Sequence, residues 1–325
     1  MIRPILAALL LAQPLAAEEI TVALDWTPNT NHVGLYVAEA RGWYDEAGLE
    51  VAILPYTDTA SSTLVANGVA DLGVLSSLGF FTQRAAGADL VAVLAVVQHE
   101  TGRLVFDADR EDIQTPADLD GLTYAGFGTG WEQALITTII REAGGKGEFE
   151  TVTLGTGAYE ALAAGRVDFT LEVVTWEGVH AALEGRPQRA FRYADHGVPD
   201  QHTTLIGARG AWLEEDPETA RAFLEATQRG YAFAAESPDE AADLLIEATG
   251  GMLSNEALVR ASMQALVEGD YLRDKTGAVG RIDPAKVEAM GGFLFDAGIL
   301  RDAEGAPLAE KPDFSSYFTN DYLAE

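Results

Sequence analysis

Hydrophobic positions along this chain switch repeatedly between a period of two and a period near 3.6, which predicts strands followed by helices. Ile20-Thr-Val-Ala-Leu24 is a β-branched and apolar run, closed by the polar loop Asp25 to Asn31. His32 to Arg41 then carries Val33, Tyr36, Val37 and Ala40 at helical spacing and stops at Gly42. Val51 to Leu54, Leu72 to Leu75 and Leu90 to Val97 read as further strands, with a helix over Thr59 to Ala66. This rhythm predicts a largely parallel sheet flanked by helices.

The same grammar restarts farther on. Leu122 to Phe127 is a strand, Gly128-Thr129-Gly130 a turn, and Trp131 to Glu142 a helix that buries Leu135, Ile136, Ile139 and Ile140 before stopping at Gly144. Gly68 and Gly165 each stand three residues before an aspartate, Asp71 or Asp168, that opens a strand. Aligning Gly42 with Gly144 shifts the chain by 102 residues, and aligning the two Gly/Asp pairs shifts it by 97. A five-residue difference in loop length fits two related α/β lobes. From Thr203 the pattern changes: after the run Thr203 to Ile206, helices are expected over Pro217 to Ala235, from Ser237, over Asn255 to Val267 and over Pro284 to Ala297. Several open with proline at the first position and acids nearby. A helical C-terminal third packed on the first lobe makes that lobe discontinuous. The expected division is 18–100 plus 204–325 for the first lobe and 101–203 for the second, joined by a two-stranded hinge near Gln98 to Arg103 and Pro199 to Thr204.

Composition narrows the possibilities. The 325 residues hold 21 Lys plus Arg against 51 Asp plus Glu, a formal net charge of −30 spread along the chain. Such a surface repels phosphate backbones, so nucleic-acid binding is not expected. The absence of cysteine excludes disulfides, thiolate metal sites, cysteine nucleophiles and a lipidated N-terminus. Residues 1–17 combine Arg3, an apolar stretch from Ile5 to Leu11 and the small-residue ending Leu15-Ala16-Ala17 before Glu18 and Glu19. This is the pattern of a cleavable signal peptide, and the expected location is the periplasm, free of any membrane anchor.

Ligands of open α/β sheets bind beyond the carboxyl ends of the strands. That rule selects Asp25 to Asn31, Ser76 and Ser77 after Leu75, the turn Gly128-Thr129 leading to Trp131 and Glu132, and Glu172 to Glu177 with Trp176. Tryptophans, short polar groups and carboxylates in these loops suit a flat, polar ring, and none of the loops contains Lys or Arg, which disfavours an anion. Structural roles compete: Trp26 and Trp176 as packing residues, and Glu132 as a charge at a helix N-terminus. Dinucleotide, P-loop and nucleophile-elbow motifs are absent. His196 and His202 beside Asp195 and Asp200 do not make a persuasive metal site, and Asp107 to Asp112 reads as a solvated turn. No metal or cofactor is expected.

The run from Leu24 through Trp26, Asn29, His32 and Tyr36 to Ala38, with Gly42-Trp43-Tyr44 and Ala47 to Val51, resembles one thiamine-related family. Further matches are Gly68 to Asp71, Phe127-Gly128-Thr129 with Glu132, Trp176-Glu177-Gly178 and Ser315 to Leu323. The family (ThiY-like, NMT1-like) unites periplasmic binding proteins for thiamine pyrimidine precursors with pyrimidine synthases that share their fold. The resemblance implies a two-lobed type II binding-protein fold that closes like a hinge, acting as a monomer with an ABC importer's permease and, through it, the ATPase. It implies an aminopyrimidine ligand, typically the formylated aminomethyl compound, held by Asp25, Trp26, Asn29 and His32 from one lobe and Trp131, Glu132, Trp176 and Glu177 from the other. Trp26 would stack on the ring, and a carboxylate such as Glu177 would accept from its exocyclic amine. Riboflavin, a sulfonate or another heterocycle is the alternative cargo. The synthases carry a cysteine-rich motif that should fall around Pro199 to Thr203, where this sequence has none, so an enzyme is not expected.

Overall fold

The computed structural model describes residues 17–57 and 59–324; the expected signal peptide lies, but for Ala17, outside them. Ten strands are described: β1 (Glu18–Ala23), β2 (Leu49–Leu54), β3 (Leu72–Ser76), β4 (Val91–Ala95), β5 (Gly102–Asp107), β6 (Thr123–Gly126), β7 (Glu150–Thr153), β8 (Phe169–Val173), β9 (Gln188–Arg192) and β10 (Thr204–Ala208). The helices of the first half are α1 (Val33–Ala40), α2 (Trp43–Glu46), α3 (Ser61–Ala66), α4 (Ser77–Ala85), α5 (Gly130–Glu142), α6 (Ala158–Ala163) and α7 (Val179–Leu183). A helical C-terminal part follows: α8 (Gly210–Glu215), α9 (Pro217–Glu236), α10 (Pro238–Ala248), α11 (Glu256–Glu268) and α12 (Pro284–Asp296).

The strands form two five-stranded sheets, ordered β2-β1-β3-β10-β4 and β7-β6-β8-β5-β9. In each sheet the fourth strand, β10 or β5, runs antiparallel to both neighbours, while the β1/β2/β3 and β6/β7/β8 pairings are parallel. The reversed strand is the one that arrives from the other sheet, so no helical crossover sets its direction. β5 and β9 were not foreseen as strands, because their alternation is short and interrupted by arginine: Arg103, Arg189 and Arg192. β4 is shorter than the expected run to Val97, since the chain leaves the sheet there.

The Gly/Asp echo has a structural basis. Gly68 and Gly165 both adopt left-handed backbone, φ +69° and +64°, where a side chain would be strained. Asp71 then accepts from the Thr21 amide at 2.8 Å, and Asp168 accepts from the Thr123 amide at 2.8 Å. The same carboxylate clip ties the start of β3 to β1 and of β8 to β6.

Helix boundaries follow their caps. Asp216 precedes Pro217 and accepts from the Thr219 amide, Asn255 accepts from the Leu258 amide, and Asp283 accepts from the Ala285 amide. The first helix starts as a 3₁₀ turn over Thr30–His32 before α1. α1 is buried against α9, and Tyr44 stacks on Phe223 at 5.4 Å in the same core. At the other end, Phe314 and Tyr317 are buried, and the Thr319 amide donates to the Ala92 carbonyl along the edge of β4. The family-like C-terminal run thus covers a sheet edge. Among the described residues no helix is long and apolar enough to cross a membrane.

Two segments connect the sheets, β4 to β5 and β9 to β10. Between them Asp200 accepts from the Glu100 amide at 2.8 Å and pairs with Lys286 at 2.7 Å, and Lys286 also donates to the Gln98 carbonyl. His202 accepts the Asp283 amide on Nε2 and is 3% exposed, and its Nδ1 has no partner among the described residues. Among the described residues no group of His, Asp and Glu is arranged to hold a metal.

Burial and then Lys286 lower the His202 pKa from 6.5 to about 4. Between those values the unfolded chain binds the extra proton, so acidification through that window destabilises the fold by up to about 3 kcal/mol. Urea titrations at pH 7 and pH 4.5 should therefore show a smaller pH dependence for His202→Gln than for the parent. An identical dependence would remove His202 from the acid response.

Candidate functional site

Beyond the carboxyl end of β1 the chain turns sharply, and its own side chains hold the turn. The Asn29 amide donates to His32 Nδ1 at 3.2 Å, which leaves the imidazole proton on Nε2, and Nε2 lies 2.9 Å from Asp25 Oδ1. His32 is fully buried and orients Asp25 from behind. Asn29 Oδ1 accepts from the Asn31 amide at 2.9 Å, and the Tyr231 hydroxyl donates to the Asn31 carbonyl at 2.7 Å. Trp26 remains 41% exposed and leans on Tyr56, ring centroids 5.1 Å apart.

The second sheet contributes through β8. Glu172 on that strand is 1% exposed and paired with Arg103 of β5. Directly after β8 the backbone makes a π-helical turn, Val174–Gly178, a rare conformation that re-aims side chains at functional positions. Within it Glu177 Oε2 accepts from the Val173 amide at 3.2 Å. A Cβ at Gly178 would stand 2.7 Å from an Arg103 nitrogen and 2.8 Å from Glu172 Oε1, so glycine lets the turn pack on this ion pair. Burial, with Glu172 adding to it, pushes the Glu177 carboxyl above the usual range against its backbone hydrogen bonds. Burial also raises the Tyr159 phenol, which stays protonated.

A third element spans the two sides. Ser262 of α11 donates to the Thr175 carbonyl, which leaves the Thr30 hydroxyl as donor to Ser262 Oγ at 2.6 Å. The loop after β1 and the turn after β8 are thereby tied through one helix.

These loops enclose a cleft of about 540 Å³. Of the residues singled out from sequence, Asp25, Trp26, Asn29, Ser76, Trp176 and Glu177 line it. His32, Ser77, Gly128, Thr129, Trp131 and Glu132 do not. Glu132 is 3% exposed and accepts from the Tyr124 hydroxyl and the Phe127 and Thr129 amides at 2.7–2.8 Å. It closes the turn after β6 as the acidic half of a capping box, its partner Thr129 accepting the Glu132 amide at 3.2 Å. Trp131 meets Phe293 of α12 edge-on at 6.1 Å, Gly128 supplies a left-handed residue at φ +72°, and the Ser77 amide donates to the Thr203 carbonyl. The place this turn was expected to fill is taken by Phe127, which is 47% exposed at the cleft.

Sequence reasoning missed Ser61 and Ser62 at the start of α3, Thr156 just before α6 and Tyr159 in its first turn, Thr101 and Thr203 of the connecting segments, and Thr204 at the start of β10. The first two groups follow β2 and β7, equivalent strands of the two sheets, so the internal repeat was the signal that would have found them. Among the described residues no Lys or Arg lines the cleft.

Two substitutions separate support from contact. Glu132→Ala strips acceptors from several donors and should lower unfolding stability by about 1–3 kcal/mol in urea. Glu177→Gln should hold or raise the urea midpoint at pH 7, because a raised carboxyl pKa means that ionisation favours the unfolded chain. A loss of stability in Glu177→Gln would contradict this environment.

Comparison with known proteins places the chain. The family model described as NMT1/THI5 like matches residues 29–241. A formylaminopyrimidine-binding protein of Halalkalibacterium halodurans is 32% identical over 236 residues, 71% of each chain. A 4-amino-5-hydroxymethyl-2-methylpyrimidine phosphate synthase of Legionella pneumophila is 26% identical over 235 residues, 70% of this chain and 73% of that one. In structure, the periplasmic aliphatic sulphonate binding protein SsuA from Escherichia coli superposes with a TM-score of 0.70 at 16% identity, covering 95% of this chain and 94% of its own. That likeness gives the architecture, the two-lobed type II binding-protein fold. On the family match and the 32% identical relative, this chain belongs to the NMT1/THI5-like family.

Proposed function

We propose that this protein is the solute-binding component of an importer and carries a thiamine pyrimidine precursor, a formylated aminomethylpyrimidine or a related aminopyrimidine. The observation that carries this reading is the cleft itself: aromatic walls, Asp25 and Glu177, short hydroxyl and amide groups, and, among the described residues, no cationic side chain. A flat ring with an exocyclic amine finds stacking surface in Trp26 and Trp176 and acceptors in the two carboxylates. A sulfonate or nitrate would face two carboxylates with no positive partner in the lining, which disfavours it by charge alone. The name of the 32% identical relative points to the same ligand class.

The remaining assignments belong to the same proposal. Residues 18–100 with 204–325 form one lobe and 101–203 the other, and the paired connections around Glu100 and Asp200 are the hinge about which the lobes close. The protein is exported to the periplasm through the segment 1–17 and delivers its ligand, as a monomer, to an ABC permease. It is a binder rather than a synthase. The relatives named as synthases are about a quarter identical, and the position where the synthases' cysteine-rich motif should fall reads Pro199-Asp200-Gln201-His202-Thr203.

A thermal-shift screen of residues 18–325 tests the reading, with formylated aminomethylpyrimidine, hydroxymethylpyrimidine, riboflavin, taurine and nitrate as ligands. A ligand at ~100 times its Kd adds ~2.7 kcal/mol of stability. Shifts confined to the pyrimidines are expected, and a shift with taurine or nitrate alone would overturn the ligand class. Trp26→Ala should weaken pyrimidine binding by ~1–3 kcal/mol in titration calorimetry, and its large exposure predicts unchanged thermal stability without ligand.

A further inference from the structure

Helix α11 is built into one side of the molecule and reaches across to the other. Val259, Met263 and Leu266 are buried in the core that holds α1 and α9, and Gln264 donates to Asp239 of α10 at 2.9 Å, so the helix is anchored among its neighbours within residues 204–325. It also packs on α7 and on the turn Val174–Gly178, whose Val174 and Trp176 lean on that same core. Ser262 stands at this junction. It is fully buried and does not line the cleft, whereas its two partners, Thr30 and Thr175, do. A serine hydroxyl has one hydrogen to give, and Ser262 gives it to the Thr175 carbonyl at 2.5 Å; its lone pair takes the Thr30 hydroxyl at 2.6 Å. One oxygen atom thus joins the loop that carries Asp25 and Trp26 to the turn that carries Trp176 and Glu177.

We propose that Ser262 is a positioning residue, a latch between the lobes that sets how long the cleft stays shut over a bound ring without touching that ring. The proposal rests on the two-lobed, pyrimidine-binding reading above and adds a determinant of affinity that lies outside the lining. Thr175 belongs to residues 101–203 and travels with that lobe when the cleft opens, while Ser262 and Thr30 stay with the other. In the open protein water reaches these polar groups, and closure exchanges that water for the relay through Ser262. Without the serine hydroxyl, closure buries the Thr30 hydroxyl beside a methyl group and takes a donor from the Thr175 carbonyl, which shifts the balance toward the open form. Ligand enters the open cleft in either case, so the effect falls on release rather than on capture.

Stopped-flow tryptophan fluorescence with the formylated aminomethylpyrimidine as probe measures both rates, since Trp26 and Trp176 line the cleft. Ser262→Ala should release the probe about tenfold faster than the parent, the scale of a buried polar group left unpaired, with the association rate unchanged. Ser262→Thr, which keeps the hydroxyl, should restore slow release. Leu266→Val, fully buried one turn farther along the same helix and outside the relay, should lower the urea midpoint and leave both rates as in the parent. Release unchanged in Ser262→Ala, or hastened equally by Leu266→Val, would overturn the latch. A ligand-free comparison runs beside it: amide hydrogen exchange over residues 174–178 should be about threefold or more faster in Ser262→Ala than in the parent, and equal exchange would likewise overturn the latch. Should Ser262→Thr fail to fold, the release rate and the exchange of the alanine variant decide by themselves. If the parent binds no pyrimidine, the ligand class falls and the exchange comparison alone judges the latch.

Discussion

The chain passes from one sheet to the other between β4 and β5 and returns between β9 and β10, and the cleft depends on that double passage. Because each sheet takes its fourth strand from a connection to the other, the strands after which loops open toward ligand are brought to face one another. The passages also carry a cluster of ionisable side chains: Glu100, Asp200, Lys286 and His202 are held there by backbone amides and by each other. Such a cluster is stable only while all its members keep their partners, which makes the geometry of the connection definite.

Carboxylates illustrate how environment assigns roles. Asp25, Glu132 and Glu177 all follow predicted strands and all lay within the loops singled out from sequence. Asp25 is steered by a buried histidine and remains open to the cleft. Glu132 accepts from its own turn and does not line the cleft. Glu177 is drawn into a partly desolvated wall beside Glu172, where its carboxyl is pushed upward. The difference lies in how many amides point at each group, which is a property of the local backbone.

The π-helical turn Val174–Gly178 connects these observations to function. It follows β8 without an intervening loop, places Trp176 and Glu177 on the lining of the cleft, and presents the Thr175 carbonyl to Ser262. Its register depends on Gly178 passing close to Arg103 and Glu172. A buried ion pair, a glycine and an unusual turn are therefore one unit, and its outer face lines the cleft.

Local patterning by itself determined much of this protein. The first lobe's strand and helix order, the capped C-terminal helices and the repeated Gly/Asp clip were legible because each rests on contacts close in sequence or on a backbone conformation only certain residues accept. The cationless character of the loops was legible too, since it is a matter of composition. Tertiary structure alone decided that His32 supports rather than lines the cleft, that Glu132 is consumed by a capping box, and that Tyr159, Ser61 and Thr204 join the lining. It likewise decided that β5 and β9 are strands, because their pairing partners lie tens of residues away and their arginine-interrupted runs carry little pattern of their own. The physical reason is common to all of these: periodicity records which face of an element is buried, whereas the partner that satisfies a given oxygen or nitrogen is fixed only when distant segments meet.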